Sequence, residues 1–194
     1  MWLVTVLLFA LPFFLCAWLL PWYILLVAGP FLLKFCFAWR SLEEHTASVT
    51  QALARDVGEG RRQAALMVSR GTETLSSEQV RSAAYESMSE NLVDSIVSPL
   101  FFFGIFGLPG AAACRAANTM DAMLGYKDER KDLGWCAARM DDLFNLIPAR
   151  ITGGMLLLYF AAKGRFPEAW RGLQRDRKKR PGINGGIPMA IIAS

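Results

Sequence analysis

The sequence predicts an all-α, polytopic membrane protein. Its expected architecture is an N-terminal transmembrane hairpin, broken or re-entrant apolar helices, and polar helical loops on one face. Three observations predict this. Residues 1–33 hold no charged side chain, Lys34 being the first. The apolar fraction is 54% and the mean hydropathy +0.29, above the roughly 45–50% of ordinary soluble domains. Charge, Asn and Gly are gathered into residues 86–150, between apolar runs, where ionisable groups are costly and point to function.

At about 1.5 Å per residue the first 33 residues would reach roughly 50 Å as one helix, more than the ~30 Å hydrocarbon layer needs. Pro21 divides them, so two coupled spans, about 1–20 and 22–39, are expected. A secretory signal peptide is the other reading, but no basic segment precedes the run and it is too long. The remainder, 40–194, divides into polar helices (40–94), an apolar piece (95–113) and a polar site segment (114–150). A second apolar piece (151–162) and a basic loop with an apolar end (163–194) complete it.

Residues 41–68 carry apolar side chains at 42, 49, 53, 57, 64 and 68, close to the helical period, with a break at 69–72. Ser76-Ser77-Glu78 offers caps for a further helix. Residues 95–113 are free of charge and long enough to span, yet Pro99, Gly104, Gly107, Pro109 and Gly110 interrupt them. Residues 151–162 are shorter, and Gly153-Gly154 weakens them. If both pieces crossed, residues 114–142 would be stranded away from 40–94 and 163–181. If both are broken or re-entrant, all three polar segments share a face, which is the arrangement expected.

The net charge of +4 conceals an asymmetry. Residues 40–90 hold six Lys/Arg against eight Asp/Glu, and residues 114–142 five against six. Residues 163–181 hold eight against two, a net of +6 that marks the cytoplasmic, anionic-lipid side. No aromatic interleaving or binding motif supports nucleic acid as a partner. Cys16, Cys36, Cys114 and Cys136 lack paired spacing and read as buried small side chains. His45, the only histidine, argues against His-rich metal sites and a Ser-His-Asp triad, and reads as a solvated helix residue. No phosphate-binding glycine loop is present.

On an α-helix Glu86, Glu90 and Asp94 fall at i, i+4 and i+8, with Ser87 and Asn91 alongside. Like charges so spaced repel by a few tenths of a kcal/mol per pair. Mg²⁺ or Arg side chains would offset that; a solvated acidic face is the plainer alternative. Arg115, Asn118 and Asp121 recur at i, i+3, i+6, Arg139 and Asp142 at i, i+3, and Asp141 and Asn145 at i, i+4. Such pairs are ordinarily surface salt bridges. Crowded between apolar runs, Arg with Asp and Asn also suits a phosphorylated ligand carrying a metal.

At these residues the sequence resembles the adenosylcobinamide-phosphate synthase family of integral membrane proteins in cobalamin biosynthesis. The resemblance covers about 41–193. It rests on Glu86-Ser87, Glu90-Asn91, Asp94, Pro99-Leu100-Phe101, Arg115, Asn118-Thr119 and Asp121. It continues through Gly125-Tyr126, Glu129-Arg130, Gly134-Trp135, Ala138-Arg139, Asp141-Asp142 and Ile147-Pro148-Ala149-Arg150, with Asn184-Gly185-Gly186 and Pro188 as a weaker echo. It implies an ATP- and Mg²⁺-dependent ligase. Such an enzyme joins the carboxylate of adenosylcobyric acid, a corrinoid, to aminopropanol phosphate or ethanolamine phosphate, releasing ADP and phosphate. Glu86, Glu90, Asp94 and Asp121 would then serve catalysis, the first three also as Mg²⁺ ligands. Asn91, Arg115, Asn118, Arg130, Arg139, Asp142, Arg150 and Asn184 would bind substrates and phosphate. Family members are longer, so the chain is expected to be shortened at both ends, with a homo-oligomer or a partner chain supplying missing segments. Gly71, Lys127-Asp128 and Met189 depart from the family's usual residues. Two other classes are a non-catalytic membrane scaffold of the same fold and a small cation-coupled transporter.

Overall fold

The computed structural model describes residues 1–68, 71–124, 131–179 and 182–194, with side chains undescribed at 131–133. Among the described residues every regular element is helical. Three helical stretches are long and apolar enough to cross a membrane, Trp2–Leu19, Trp22–Arg55 and Ser77–Leu124. A fourth arises if the bent pair Gly134–Phe144 and Leu146–Ala162 is one span. The chain forms two units, each described by itself.

The first unit comprises Met1–Ala38, Val93–Ile151 and Gly182–Asn184. Its helices are α1 (Trp2–Leu19), α2 (Trp22–Lys34), a π-helical turn (Val93–Val97), α6 (Ser98–Leu124), α7 (Lys131–Phe144) and the start of α8 (Leu146–Ala162). Pro21 separates α1 from α2 as the sequence predicts, but α2 stops at Lys34 rather than 39. α1 is apolar all round and leaves large side chains outside, Trp18 at 74% exposure and Leu8 at 63%. Hydrocarbon, not water, suits such a surface. Where α1 meets α6 the buried residues are small: Ala10 packs with Ala111, Ala112 and, beyond α2, Cys36, with Phe13 and Leu33 set against them. Small side chains let membrane helices approach closely, gaining van der Waals contact that lipid cannot match.

α6 is broken as expected. Gly107 sits at φ 65°, ψ −156° inside it, a conformation that side chains with a Cβ avoid. Pro109 follows, and Gly110 fits only without a side chain: a Cβ there would lie 2.5 Å from the Phe102 carbonyl oxygen. Gly104, by contrast, faces open space.

The second unit comprises Trp39–Leu92, Thr152–Pro181 and Gly185–Ser194. It holds α3 (Trp39–Arg55), α4 (Val57–Ala65), α5 (Ser77–Leu92), the rest of α8, α9 (Phe166–Asp176) and α10 (Gly186–Ile192). The single helix expected over 41–68 is divided at Asp56. Its carboxylate accepts from the Glu59 backbone N–H at 3.0 Å, capping a new helix. At the predicted cap of α5, Ser76 and Gln79 exchange side-chain and backbone hydrogen bonds of 3.3 and 2.9 Å, a capping box. Val49, Ala64, Val80 and Ala84 form this unit's core.

Gly153-Gly154 does not break α8, contrary to expectation. Gly153 instead lets α10 approach, since a Cβ there would meet Ile187 Cγ2 at 2.6 Å. Gly172 of α9 and Gly186 serve likewise, facing Ser194 with the Ala190 carbonyl, and the Arg177 carbonyl. The four cysteines are free; Cys36 and Cys114 are buried as read, but Cys16 is only half-buried and Cys136 is exposed on α7, on the outward side with Trp135. His45 is exposed on α3, as expected.

Candidate functional site

The first unit gathers a continuous polar chain where the sequence is otherwise apolar. Arg115 on α6 donates from Nη1 to Ser95 Oγ at 3.3 Å and to Asn118 Oδ1 at 3.5 Å. Asn118 hydrogen-bonds Asp141 of α7. Asn145 Nδ2 donates to Asp141 Oδ2 at 2.8 Å, while its Oδ1 accepts from Ser98 Oγ. Ser95, Ser98 and Asn145 are buried, at 5%, 0% and 3% exposure. In such a place an unmet polar group costs ~1–3 kcal/mol, so the chain is held together by mutual satisfaction.

Asn145 also marks the 45° bend between α7 and α8. Its backbone N–H bonds the Asp141 carbonyl at 2.9 Å and its carbonyl accepts from Ala149 at 3.0 Å. Pro148 sits in the first turn of α8, where a missing N–H is tolerated. The bend aims the Asn145 side chain back at both α7 and Ser98.

Of the residues singled out from sequence, Arg115, Asn118, Asp121 and Asp142 are brought together here. Asp121 and Asp142 lie close enough to feel each other's charge, as do Asp121 and Asp141. The described hydrogen bonds of Arg115 reach neutral oxygens, so it is not the surface ion pair to Asp121 that its spacing allows. Arg150 and Asn184 form a second cluster. Arg150 Nη1 donates to Asn184 Oδ1 at 3.0 Å and to the Leu146 carbonyl; Asn184 Nδ2 donates to the Asp142 carbonyl at 2.7 Å. Asn184 thereby ties the short segment Gly182–Asn184 to the end of α7 within the first unit. Arg139 is exposed on α7.

Asp94 lies in the π-helical turn. There the i→i+5 pattern interrupts the regular spacing, so the simple i, i+4, i+8 face does not run through it. Glu86, Glu90 and Asn91 belong to α5 in the second unit. Asn91 Nδ2 donates to the Ser87 carbonyl at 2.9 Å, and Ser87 Oγ donates to the Met67 carbonyl at 3.0 Å. Arg130, with the rest of residues 125–130, lies outside the described residues. Among the described residues no three His, Cys, Asp or Glu side chains converge as a metal-holding group.

Asp141 and Asn145 stand out in the sequence by their i, i+4 spacing but receive no individual role there, while Ser95 and Ser98 read only as part of an apolar run. Their signal is chemical: a hydroxyl in an apolar segment needs a partner, and another helix must supply it.

Geometry thus defines a helical membrane protein whose polar site is built around the breaks in its apolar helices. The chain belongs to the CobD/Cbib protein family, whose description matches residues 1–194. It is 41% identical over 173 residues to a "Probable cobalamin biosynthesis protein CobD" of Methanothermobacter thermautotrophicus, covering 87% of this chain and 57% of that protein. A protein of the same name from Thermococcus kodakarensis is 46% identical over 166 residues, covering 84% and 52%. The "Cobalamin biosynthesis protein CobD" of Geobacter metallireducens is 44% identical over 161 residues, covering 81% and 51%. The chain therefore spans little more than half the length of these relatives. No solved structure matches it.

Proposed function

We propose that the chain acts in cobalamin biosynthesis as an ADP-forming carbon–nitrogen ligase. It would join the carboxylate of adenosylcobyric acid to the amine of aminopropanol phosphate or ethanolamine phosphate. ATP would supply the driving force: its γ-phosphoryl group would pass to the carboxylate with release of ADP. The amine, losing a proton, would then displace inorganic phosphate, which carries off the carboxylate oxygen as the amide bond forms. Family membership supports the pathway, and the Arg115–Asn118–Asp141–Asn145–Ser98 chain is the observation that carries the chemistry. A guanidinium has five N–H donors. The two described bonds of Arg115 leave from one nitrogen, which suits a forked grip on phosphate besides.

Mg²⁺ fits this donor set in one form. The described residues offer no protein-only cage, but Mg²⁺ is usually held by one or two carboxylates together with substrate phosphates. Asp121 and Asp142 would take it so, neutralising phosphate charge. Glu86, Glu90 and Asp94 are proposed to bind metal or the amino group. Arg115, Arg130, Arg139 and Arg150 are proposed to hold phosphates and the corrinoid's acidic edge, with Asn91, Asn118 and Asn184 binding substrate beside them. The chain is proposed to be polytopic in the cell membrane with this face cytoplasmic, supported by the basic segment 163–181. The corrinoid, the amino-alcohol phosphate and membrane lipid are its proposed partners, with a homo-oligomer or a partner chain besides. A non-catalytic membrane scaffold of the same fold is the alternative reading.

Protein purified in detergent, given Mg·ATP, adenosylcobyric acid and aminopropanol phosphate, should yield ADP and a heavier corrinoid by mass spectrometry. Folded protein that yields neither overturns the ligase reading for this chain. Glu90→Gln should abolish turnover with the helical content intact; undiminished turnover would show a merely solvated acidic face.

A further inference from the structure

The second unit carries a surface that the ligase reading leaves unused. α8 ends in a Schellman motif: Arg165 N–H bonds the Phe160 carbonyl at 2.8 Å and Gly164 N–H the Ala161 carbonyl at 3.0 Å, with Gly164 at φ 73°. This stops an apolar helix and redirects the chain at once into α9, with Pro167 in its first turn. At the junction, two basic side chains lie over two aromatic rings. Lys163 Nζ lies 5.8 Å from the Tyr159 ring centre, and the Arg165 guanidinium 5.6 Å from that of Phe160.

α9 is strongly two-faced. Ala169 and Gly172 are buried, Gly172 against α10. Beside them Phe166 and Trp170 stack with ring centres 6.0 Å apart, yet each stays 43% exposed. Arg171 and Arg175 lie one turn apart on the other flank, followed by Arg177, Lys178 and Lys179. Asp176 engages Arg175 at 2.8 Å and Lys179 at 2.6 Å. Glu168 engages Arg171 at 3.4 Å, and the two carboxylates cannot balance this cluster, given the net +6 of residues 163–181.

We propose that α9 is an in-plane anchor on an anionic bilayer surface, its Phe166 and Trp170 rings sunk at headgroup level and its basic flank bound to lipid phosphates. An exposed aromatic stripe beside a basic face, directly after an apolar helix capped by aromatic and cationic side chains, is the chemistry of the membrane interface. Lys and Arg stems reach outward along such a surface to the phosphates. The charge complementarity selects lipids with acidic headgroups over zwitterionic ones. The inference is independent of the ligase reading.

The full chain, placed in mixed phosphatidylglycerol–phosphatidylcholine nanodiscs and released for native mass spectrometry, should retain phosphatidylglycerol preferentially. Arg177→Gln with Lys178→Gln should cut that preference at least ~tenfold, from about fivefold per basic residue. In vesicles, the fluorescence lost in Trp170→Phe should be the part most quenched by lipids brominated near the headgroup. Equal retention of the two lipids, or an unchanged preference in the double variant, would overturn the proposal. So would quenching of Trp170 chiefly by bromine at the chain ends, or displacement of retained phosphatidylglycerol by ATP, which would mark a site for soluble phosphate instead.

Discussion

Two apolar helices of this chain are interrupted, and for opposite reasons. α6 breaks through its backbone: Gly107 adopts a left-handed φ, and Gly110 lies against the Phe102 carbonyl where no Cβ fits. The α7–α8 pair bends at Asn145, whose buried amide is held by Ser98 and Asp141. The first break is written in residues that lack something, and the second in a residue that needs partners. A backbone break is local and shows in sequence as Gly and Pro. A side-chain break depends on what another helix presents, and shows only once the helices are packed.

The difference can be tested by removing each cause. Asn145→Leu should have the largest effect, about 3–5 kcal/mol, because it leaves Ser98 and the Asp141 carboxylate without their buried partner. Thermal unfolding in detergent, followed by far-ultraviolet circular dichroism, would read it; an unchanged midpoint would mean that the bend does not depend on the amide. Gly110→Ala comes next, at about 1–3 kcal/mol, since its Cβ must displace backbone. Gly107→Ala should cost about 1–2 kcal/mol for its positive φ. Gly104→Ala, three residues earlier in open space, should be neutral or stabilising by up to ~1 kcal/mol. If the 104 and 107 variants melted alike, φ at Gly107 would not be what bends α6.

The smallest effect concerns pH, on the exposed basic segment. Arg175, with Lys179, holds the Asp176 carboxyl down to about 2. A lowered carboxyl stabilises the fold above its ordinary pKa of ~3.9 and loses that contribution as pH falls towards about 2. Asp176 itself is half-buried, but Arg175 and Lys179 are 71% and 70% exposed, and solvent and salt screening of these partners keep it slight. Asp176→Asn should therefore melt within error of the parent at neutral pH, and a clear drop would show that the cluster does more than sit on the surface.

Much of the fold was legible. The uncharged stretch ending at Lys34, the divider Pro21, the capping box at Ser76 and Gln79, and the glycines of α6 act over one helical turn. The single helix expected over 41–68 failed at Asp56, where a cap outweighed continuing periodicity. Gly153 misled because a glycine that breaks a helix and one that admits a neighbour look alike until Ile187 is seen against it. In the site, the run of Arg115, Asn118 and Asp121 was legible from spacing. That Arg115 turns to Ser95 and Asn118, and that Asn184 clasps Arg150 and Asp142, was not.

By itself the sequence determined the helical membrane class, the places where backbone geometry must fail, and the charge pattern, because each follows from composition over short stretches. Only the tertiary structure decided which polar side chains satisfy one another. A buried hydrogen bond joins residues such as Ser98 and Asn145 that sequence holds far apart, and its partner is chosen by helix packing.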